Sequence, residues 1–141
     1  MMSIEVRKAQ LADADEVYHL LLQFVVSYKP NREKFDTQFS RLMGSKDVCF
    51  LVAAGEVLQG YALALRVPTL YANGDLWELQ ELLVAPKHRS QGIGAELLAA
   101  VISHARSNGA VEVVVPSRRA GDYYLRHGFM EAASYYKLKL T

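Results

Sequence analysis

Residues 81–94 read ELLVAPKHRSQGIG and are the most informative part of the sequence. This stretch begins with a carboxylate and three branched apolar residues, a pattern typical of the end of a buried strand. Pro86 lies in a short loop, and Gly92 and Gly94 then open a run of apolar residues at helical spacing. The stretch therefore predicts a strand, a tight loop and the N-terminus of a long helix.

The start of this helix favours a bound anion. Gly92 and Gly94 let the backbone approach a ligand closely, because they carry no Cβ atom. The N–H groups from about Gln91 to Ala95 point outward at a helix N-terminus, which suits a diphosphate. Arg89 can add charge-assisted hydrogen bonds to phosphate. A helix start that uses glycines only for its turn is the competing interpretation.

Other ligand motifs fail on this sequence. A dinucleotide-binding fingerprint needs a third glycine near Leu97, and none stands there. A P-loop needs Gly-Lys followed by Ser or Thr, which does not occur. The histidines are scattered and the cysteine is single, so we expect no metal site.

On both sides of residues 81–94, the periodicity of apolar residues predicts a mixed α/β chain. Asp13 is expected to start the first helix, with Glu16 as its capping-box partner. The predicted order is β-α-α-β-β-β-α-β-α-β-β, a single, mostly antiparallel sheet with helices on both faces. Its elements are a strand at Ile4–Arg7, the Asp13 helix, a helix near Glu33–Met43, strands Val48–Ala53, Val57–Leu65 and Leu76–Val84, a helix from Ile93 ended by Asn108–Gly109, a strand Val111–Val115, a helix N-capped by Ser117, and strands from Phe129 to Leu140.

Composition limits the class of protein. The chain has 141 residues, which suits one domain over residues 1–141, and 16 Lys and Arg balance 15 Asp and Glu. Bulk charge therefore gives no reason to expect nucleic acid or membrane binding. The first residues show no apolar signal segment, so we expect a cytoplasmic protein. Cys49 lies in a strand-like run and is expected to be buried.

Two motifs together make the chain resemble the GNAT (general control non-repressible 5-related) N-acetyltransferase family. Arg89 to Gly94 match that family's acetyl-CoA motif, Gln/Arg-x-x-Gly-x-Gly/Ala, in full. Residues 120–129, AGDYYLRHGF, look like the family's Ala-x-x-Phe-Tyr-x-x-x-Gly-Phe, with Tyr123 in place of the usual Phe. The order of elements is similar over nearly the whole chain.

The resemblance implies that acetyl-CoA binds as a co-substrate, without a metal. Its pantetheine arm would lie in a V between the strand ending at Val84 and the strand 111–115, pairing like an added strand. The Val84 N–H is similar in position to the amide that polarises the acetyl carbonyl. The cofactor residues implied in this way are Leu82, Leu83, Val84, Arg89, Ser90, Gln91, Gly92, Ile93, Gly94, Ala95, Ser117 and Tyr124.

The resemblance also suggests an acid and a base for direct attack by an amine through a tetrahedral intermediate. Glu78 is the first candidate base and Glu81 the second, while Gln80 stands where many relatives carry Glu. By strand alternation Glu78 and Gln80 share a face, and Glu81 points to the other unless a bulge intervenes. A solvated carboxylate, an ion pair or a base acting through water are the alternatives.

Tyr124 resembles the family's general acid, which faces the CoA sulfur. Full proton transfer from a tyrosine of pKa about 10 to a thiolate of pKa about 8.5 is uphill by about 2 kcal/mol. We therefore expect Tyr124 to act mainly as a hydrogen-bond donor to the departing sulfur. Tyr123 is the better candidate for a packed aromatic side chain, and Trp77, Tyr71 and Tyr28 flank the acceptor side in the family.

The residues leave three functions open. One is acetyl transfer from acetyl-CoA to a small-molecule or peptide amine, and a second is a non-catalytic module that senses acyl-CoA and acts on a partner protein. A third is transfer from another acyl-CoA or to a hydroxyl group. The segment Ser134–Leu140 often helps relatives to dimerise, so the resemblance suggests a homodimer.

Overall fold

Five strands form a single sheet in the computed structural model, which describes residues 3–24, 28–117 and 120–141. The elements are β1 (Glu5–Lys8), α1 (Ala14–Leu22), α2 (Arg32–Leu42), β2 (Val48–Ala54), β3 (Leu58–Pro68), β4 (Asp75–Val84), α3 (Ile93–Ser107), β5 (Glu112–Val114) and α4 (Gly121–Arg126). Short 3₁₀ turns precede α1 and follow β4. Among the residues described, no helix is long and apolar enough to cross a bilayer.

The sheet is mixed, as the sequence predicts. Its order is β1-β2-β3-β4-β5, and the first four strands pair in antiparallel fashion. Because α3 carries the chain back across the sheet, β5 lies parallel to β4. The predicted change from an antiparallel meander to a parallel neighbour is therefore confirmed.

Helices cover both faces of the sheet. On one face, α3 buries a stripe at helical spacing against the strands, formed by Ile93, Leu97, Leu98, Val101 and Ala105. On the other, α1 and α2 contribute Val17, Leu20 and Phe39, which pack with Phe50 and Tyr61 of the sheet. We call these the α3-side core and the α1/α2-side core. Each is the apolar face of an amphipathic helix set against a pleated sheet.

The start of α1 differs from the prediction. Asp13 does precede the helix, but its carboxylate accepts two hydrogen bonds from the Arg7 guanidinium, at 2.8 and 3.0 Å, and one from the Gln10 N–H at 2.7 Å. Glu16 accepts the Leu58 N–H at 2.7 Å instead of completing a capping box. A carboxylate as buried as Asp13 binds the available guanidinium, so the predicted cap gives way to an ion pair that joins β1 to α1.

The last two predicted strands are wrong. Residues 129–141 form no strand, and the side chains of Tyr136, Leu138 and Leu140 are almost fully exposed. A strand needs a neighbour for its backbone N–H and C=O groups. The adjacent strand β5 is only three residues long, so it offers few such groups. An alternating sequence is not enough without that partner.

Replacing Asp13 with Asn should destabilise the protein at neutral pH. The Arg7 hydrogen bonds, with the Gln10 N–H, hold the pKa of Asp13 below its usual value. Stabilisation from a lowered pKa is complete above the unfolded value of about 3.9 and is lost as the pH falls through the folded value. Hydrogen bonds to charged groups contribute about 1.5–3 kcal/mol, so we expect a loss of about 2 kcal/mol at pH 7 in urea unfolding.

Asp15→Asn is the matched control for this prediction. The Asp15 carboxylate is exposed and pairs with Arg32, which is also solvent-accessible. Solvent screens such a pair, so this variant should change the free energy of unfolding far less. Equal losses in the two variants, or an Asp13→Asn loss that persists in strong acid, would contradict the prediction.

Candidate active site

The site begins where β4 and β5 part. The two strands pair at only three positions, the last joining Glu78 to Val114. From there β4 continues alone on that side from Leu79 to Val84. At about 3.3 Å per residue, this leaves roughly 20 Å of strand edge open to a ligand. The open edge lies where the resemblance places the pantetheine arm.

Two backbone amides point into the open edge. The Ala85 N–H donates to the Gln59 carbonyl at 2.8 Å and therefore points toward β3. Successive N–H groups of a strand alternate in direction. The N–H groups of Val84 and Leu82 consequently point away from β3 and are directed to the open edge. Val84 has the orientation that the resemblance implies, and Leu82 adds a second donor.

A bulge interrupts β4 beside this edge. In the β3–β4 register Leu63 stands opposite Glu81, and its neighbour Ala64 stands opposite Leu79. Gln80 is therefore an extra residue in β4 with no counterpart in β3. Such an insertion reverses the alternation of every side chain that follows it.

The bulge places both candidate bases on one face. Glu78 and Glu81 stand opposite Leu65 and Leu63, which both pack in the α1/α2-side core. The expectation from simple alternation, with Glu81 facing away from Glu78, is wrong, and the stated exception of a bulge applies. The two carboxylates thus lie on the same face of β4, three residues apart in sequence.

Tyr61 fixes the Glu81 carboxylate. Its hydroxyl donates to Glu81 Oε1 at 2.6 Å, and its side chain is only 2% exposed. Burial, followed by the nearby Glu81 charge, raises the pKa of Tyr61, so the hydroxyl stays protonated as a donor. The Gln80 amide donates to Glu78 in a similar way. Sequence reasoning missed Tyr61, because its contact depends on the register that the bulge sets.

The loop before α3 forms the proposed anion cradle. Gly92 adopts a left-handed conformation, with φ 82° and ψ 5°, and a Cβ atom there would meet only open space. Ser90 is also left-handed, with φ 65°. The Arg89 Nε donates to the Val84 carbonyl at 3.3 Å, and its guanidinium lies 5.4 Å from the centre of the Phe24 ring. Arg89 therefore links the cradle to the end of the open edge.

The donor set of this cradle fits a diphosphate. Arg89, Ser90, Gln91 and Gly92 are exposed, whereas Ile93 is buried and anchors the helix in the α3-side core. The first N–H groups of α3 have no partner within the helix and accept an anion readily. Gly94 and Ala95 in the same first turn are only partly buried.

Two tyrosines of α4 border the candidate site on the face of the α3-side core. Tyr123 and Tyr124 both pack against the α3-side core, as do Leu82 and Val84. The Tyr124 ring centre lies 5.5 Å from that of Phe129. Burial raises the pKa of Tyr124, so its hydroxyl remains protonated and able to donate. The structure thus places Tyr124 on the same face of the sheet as Leu82 and Val84 of the open edge.

Four further predicted positions are Ser117, Trp77, Tyr71 and Tyr28. Ser117 does not cap α4, which begins four residues later, and its hydroxyl accepts the Ala120 N–H at 3.0 Å within the preceding turn. Trp77 is wholly buried beside His104 in the α3-side core and so does not line an open acceptor pocket. Tyr71 and Tyr28 are exposed, and the Lys139 ammonium lies 4.5 Å from the centre of the Tyr28 ring.

Cys49 takes no part in this site. Its side chain is buried in the α3-side core, as predicted, and burial raises the pKa of its thiol to about 11. A thiol of that pKa is almost entirely protonated near neutral pH and is a poor nucleophile. In the described part of the chain, no three His, Cys, Asp or Glu side chains group as metal ligands would.

Comparison with known proteins shows the family of the chain. Residues 14–129 match the model of the acetyltransferase (GNAT) family. An aminoalkylphosphonate N-acetyltransferase of Salmonella typhimurium strain LT2 is 31% identical over 134 residues, covering 91% of this chain and 86% of the relative.

Solved structures of low identity share the fold. The glucosamine-6-phosphate N-acetyltransferase of Arabidopsis thaliana superposes with a TM-score of 0.86 at 17% identity, over 99% of each chain. The aminoglycoside N-acetyltransferase AAC(6')-Iy, solved in complex with CoA, gives 0.83 at 15% identity, over 100% of this chain and 97% of the other. With the family match over residues 14–129 and the relative at 31% identity, the chain belongs to the acetyltransferase (GNAT) family.

Proposed function

We propose that this protein transfers the acetyl group of acetyl-CoA to the primary amine of a small molecule. The observation that carries the proposal is the open edge of β4, which runs into the α3 cradle at one end and holds two carboxylates on one face. Neither a plain strand edge nor a glycine turn requires this combination.

The cofactor would be held along one continuous path. Leu82, Leu83 and Val84 provide the open edge, and the loop and first turn of α3, residues 89–95, provide the cradle for its diphosphate. Ser117 and Tyr124 would border the same path from the β5–α4 side. When bound, acetyl-CoA supplies an activated thioester carbonyl for attack.

The protein's own groups would then promote the attack. A free lysine-like amine has a pKa of about 10.4, so only about one molecule in a few thousand is neutral at pH 7. Glu78, or Glu81 held by Tyr61, would take the proton directly or through water. The amides of Leu82 and Val84 would stabilise the charge that develops on the carbonyl oxygen. Tyr124 would donate to the departing sulfur.

The acceptor we favour is a small amine that also carries an anionic group. The relative at 31% identity is named for aminoalkylphosphonates, and the match spans 91% of this chain. Two carboxylates on one face of β4 attract a cationic amine, which is the end of such a molecule that must reach the acetyl carbonyl. An aminoalkylphosphonate therefore belongs in the first panel of acceptors.

Gly92→Val should weaken acetyl-CoA binding at least about tenfold. A β-branched residue at positive φ costs roughly 1–3 kcal/mol, and relief of that strain would rotate the cradle N–H groups away from the ligand. Isothermal titration calorimetry with acetyl-CoA measures the effect. Gly109→Val is the control, because Gly109 has φ 71° and an open Cβ position at the opposite end of α3. Normal affinity in a folded Gly92→Val protein would refute this placement of the cofactor.

Amine-dependent release of CoA thiol from acetyl-CoA tests the activity itself. Tyr124→Phe should slow turnover by about tenfold to a hundredfold without abolishing it, because it removes one proton donor. Glu78→Gln should slow turnover and shift its pH profile, and Glu81→Gln shows whether the two carboxylates share the role. The assay uses saturating substrates and a panel of small amines that includes an aminoalkylphosphonate.

Glu112→Gln is the control for this assay, since Glu112 is exposed and lies off the proposed path. Unchanged turnover of Tyr124→Phe at saturation would remove Tyr124 from the mechanism. Tight acetyl-CoA binding without release to any amine would favour the sensing module instead.

We further propose that the protein forms a homodimer through its C-terminal tail, residues 130–141. The tail exposes Tyr135, Tyr136, Leu138 and Leu140 by 69–89% each. An aromatic side chain can bury about 150–250 Å², and a standard interface needs about 800 Å² per partner. Two tyrosines and two leucines therefore supply much of that area.

Sedimentation velocity should show a dimer for the wild type and a monomer for Leu138→Asp/Leu140→Asp. A buried charge without a partner is costly at an interface, so the double change should prevent association. Leu70→Asp is the control, because Leu70 is 97% exposed elsewhere in the chain. A monomeric wild type at micromolar concentration would contradict the proposal.

A further inference from the structure

The hydroxyl of Tyr123 is the most unusual polar group near the site. Its oxygen is buried, and it has no hydrogen-bonding partner among the residues that the structure describes. Burying a hydroxyl in this way costs free energy, so such groups in folded proteins call for an explanation. Tyr61 shows the ordinary solution, because its buried hydroxyl donates to Glu81.

The fold does not require this hydroxyl. The motif that residues 120–129 resemble has Phe where this chain has Tyr123. The Tyr123 ring already packs on the α3-side core and lies 5.3 Å from the Tyr124 ring centre. A phenylalanine would fill the same volume without an unpaired oxygen. Packing of the ring therefore does not require the hydroxyl.

The hydroxyl lies where the open edge meets the cradle. A Cβ atom built on Gly94 would sit 3.3 Å from Tyr123 Oη and 3.6 Å from Val84 Cγ2. Gly94 belongs to the first turn of α3, and Val84 ends the open edge. The absence of a side chain at position 94 leaves the oxygen next to the backbone of the cradle.

The hydroxyl is a donor under ordinary conditions. Burial raises the pKa of Tyr123, and the nearby Arg126 opposes this shift only in part. The group therefore stays protonated near neutral pH. The chemical partner that suits it is an acceptor oxygen, and the cofactor of the proposed function carries two kinds: phosphate oxygens and the amide carbonyls of its pantetheine arm.

We propose that Tyr123 binds the cofactor, with its hydroxyl donating a hydrogen bond to an oxygen of CoA. This inference rests on the proposed use of acetyl-CoA. It gives the residue that departs from the family motif a role of its own, separate from that of Tyr124. The hydroxyl, which has no partner among the described residues, then gains one when the ligand binds.

Tyr123→Phe separates binding from folding. The dissociation constant for CoA, measured by calorimetry, should rise about fivefold to tenfold for the loss of one hydrogen bond. The thermal midpoint of the free variant should equal or exceed that of the wild type, because none of the described residues pairs with this hydroxyl in the free protein. A merely structural hydroxyl would give the reverse: a lower midpoint with unchanged CoA affinity.

Tyr61→Phe is the matched control. It removes a buried hydroxyl that has a partner, so the midpoint of the free protein should fall while CoA affinity stays the same. The contrast between these two tyrosines distinguishes the general effect of removing a buried hydroxyl from a specific loss of CoA affinity.

A fragment of CoA shows which of its oxygens accepts the hydrogen bond. Adenosine 3′-phosphate 5′-diphosphate carries the phosphates of CoA without the pantetheine arm. If Tyr123→Phe weakens the fragment as much as CoA, the acceptor is a phosphate oxygen; if it weakens CoA alone, the acceptor is a carbonyl of the arm. Unchanged CoA affinity in the variant would overturn this inference alone, whereas a wild type that binds no CoA would overturn the proposed function with it.

Discussion

The extra residue in β4, Gln80, sets the direction of every later side chain in that strand. If Gln80 were paired in regular register instead of bulged, Glu81 would point into the α3-side core and Leu82 away from it. With the bulge, the carboxylates gather on one face, and Leu82 and Val84 pack under α3 on the other. The amides of the same two residues point along the sheet to the open edge. One bulged residue thus separates the surface proposed for the amine from the surface that borders the proposed cofactor path.

The bulge acts together with the parting of β4 and β5. The pairing of β4 with β5 ends at Glu78, just before the bulge. β4 therefore loses its partner on the β5 side at the point where its register with β3 shifts. Tyr61 bridges the irregular region by holding Glu81, which ties the twisted end of β4 back to β3. Local irregularity of this kind concentrates near ligand sites, because it re-aims side chains without altering the rest of the sheet.

Periodicity predicted the elements that bury a face. The stripe from Ile93 to Ala105 and the meander through β2, β3 and β4 came from spacing alone, because each has a large apolar face to cover. The strand prediction for the tail failed for the opposite reason: its alternation is real, but pairing depends on a neighbour that the sequence does not describe.

Asp13 was placed correctly and given the wrong partner, since Arg7 becomes its neighbour only after β1 pairs with β2. The motif residues of the cradle could be identified from the sequence alone. The face of β4 on which Glu81 lies, and the contacts of Tyr61 and Tyr123, depend on register and packing.

Helix α3 belongs both to the core and to the cradle. Its inner stripe supplies much of the α3-side core, while its first turn offers the amides for an anion. A ligand held by that turn binds only the folded chain, so occupancy adds to stability by mass action. At a free concentration 100 times its dissociation constant, such a ligand contributes about 2.7 kcal/mol, which is a large share of the margin of a small domain. If the proposed cofactor is that ligand, its shortage would reduce the amount of this protein as well as its rate of work.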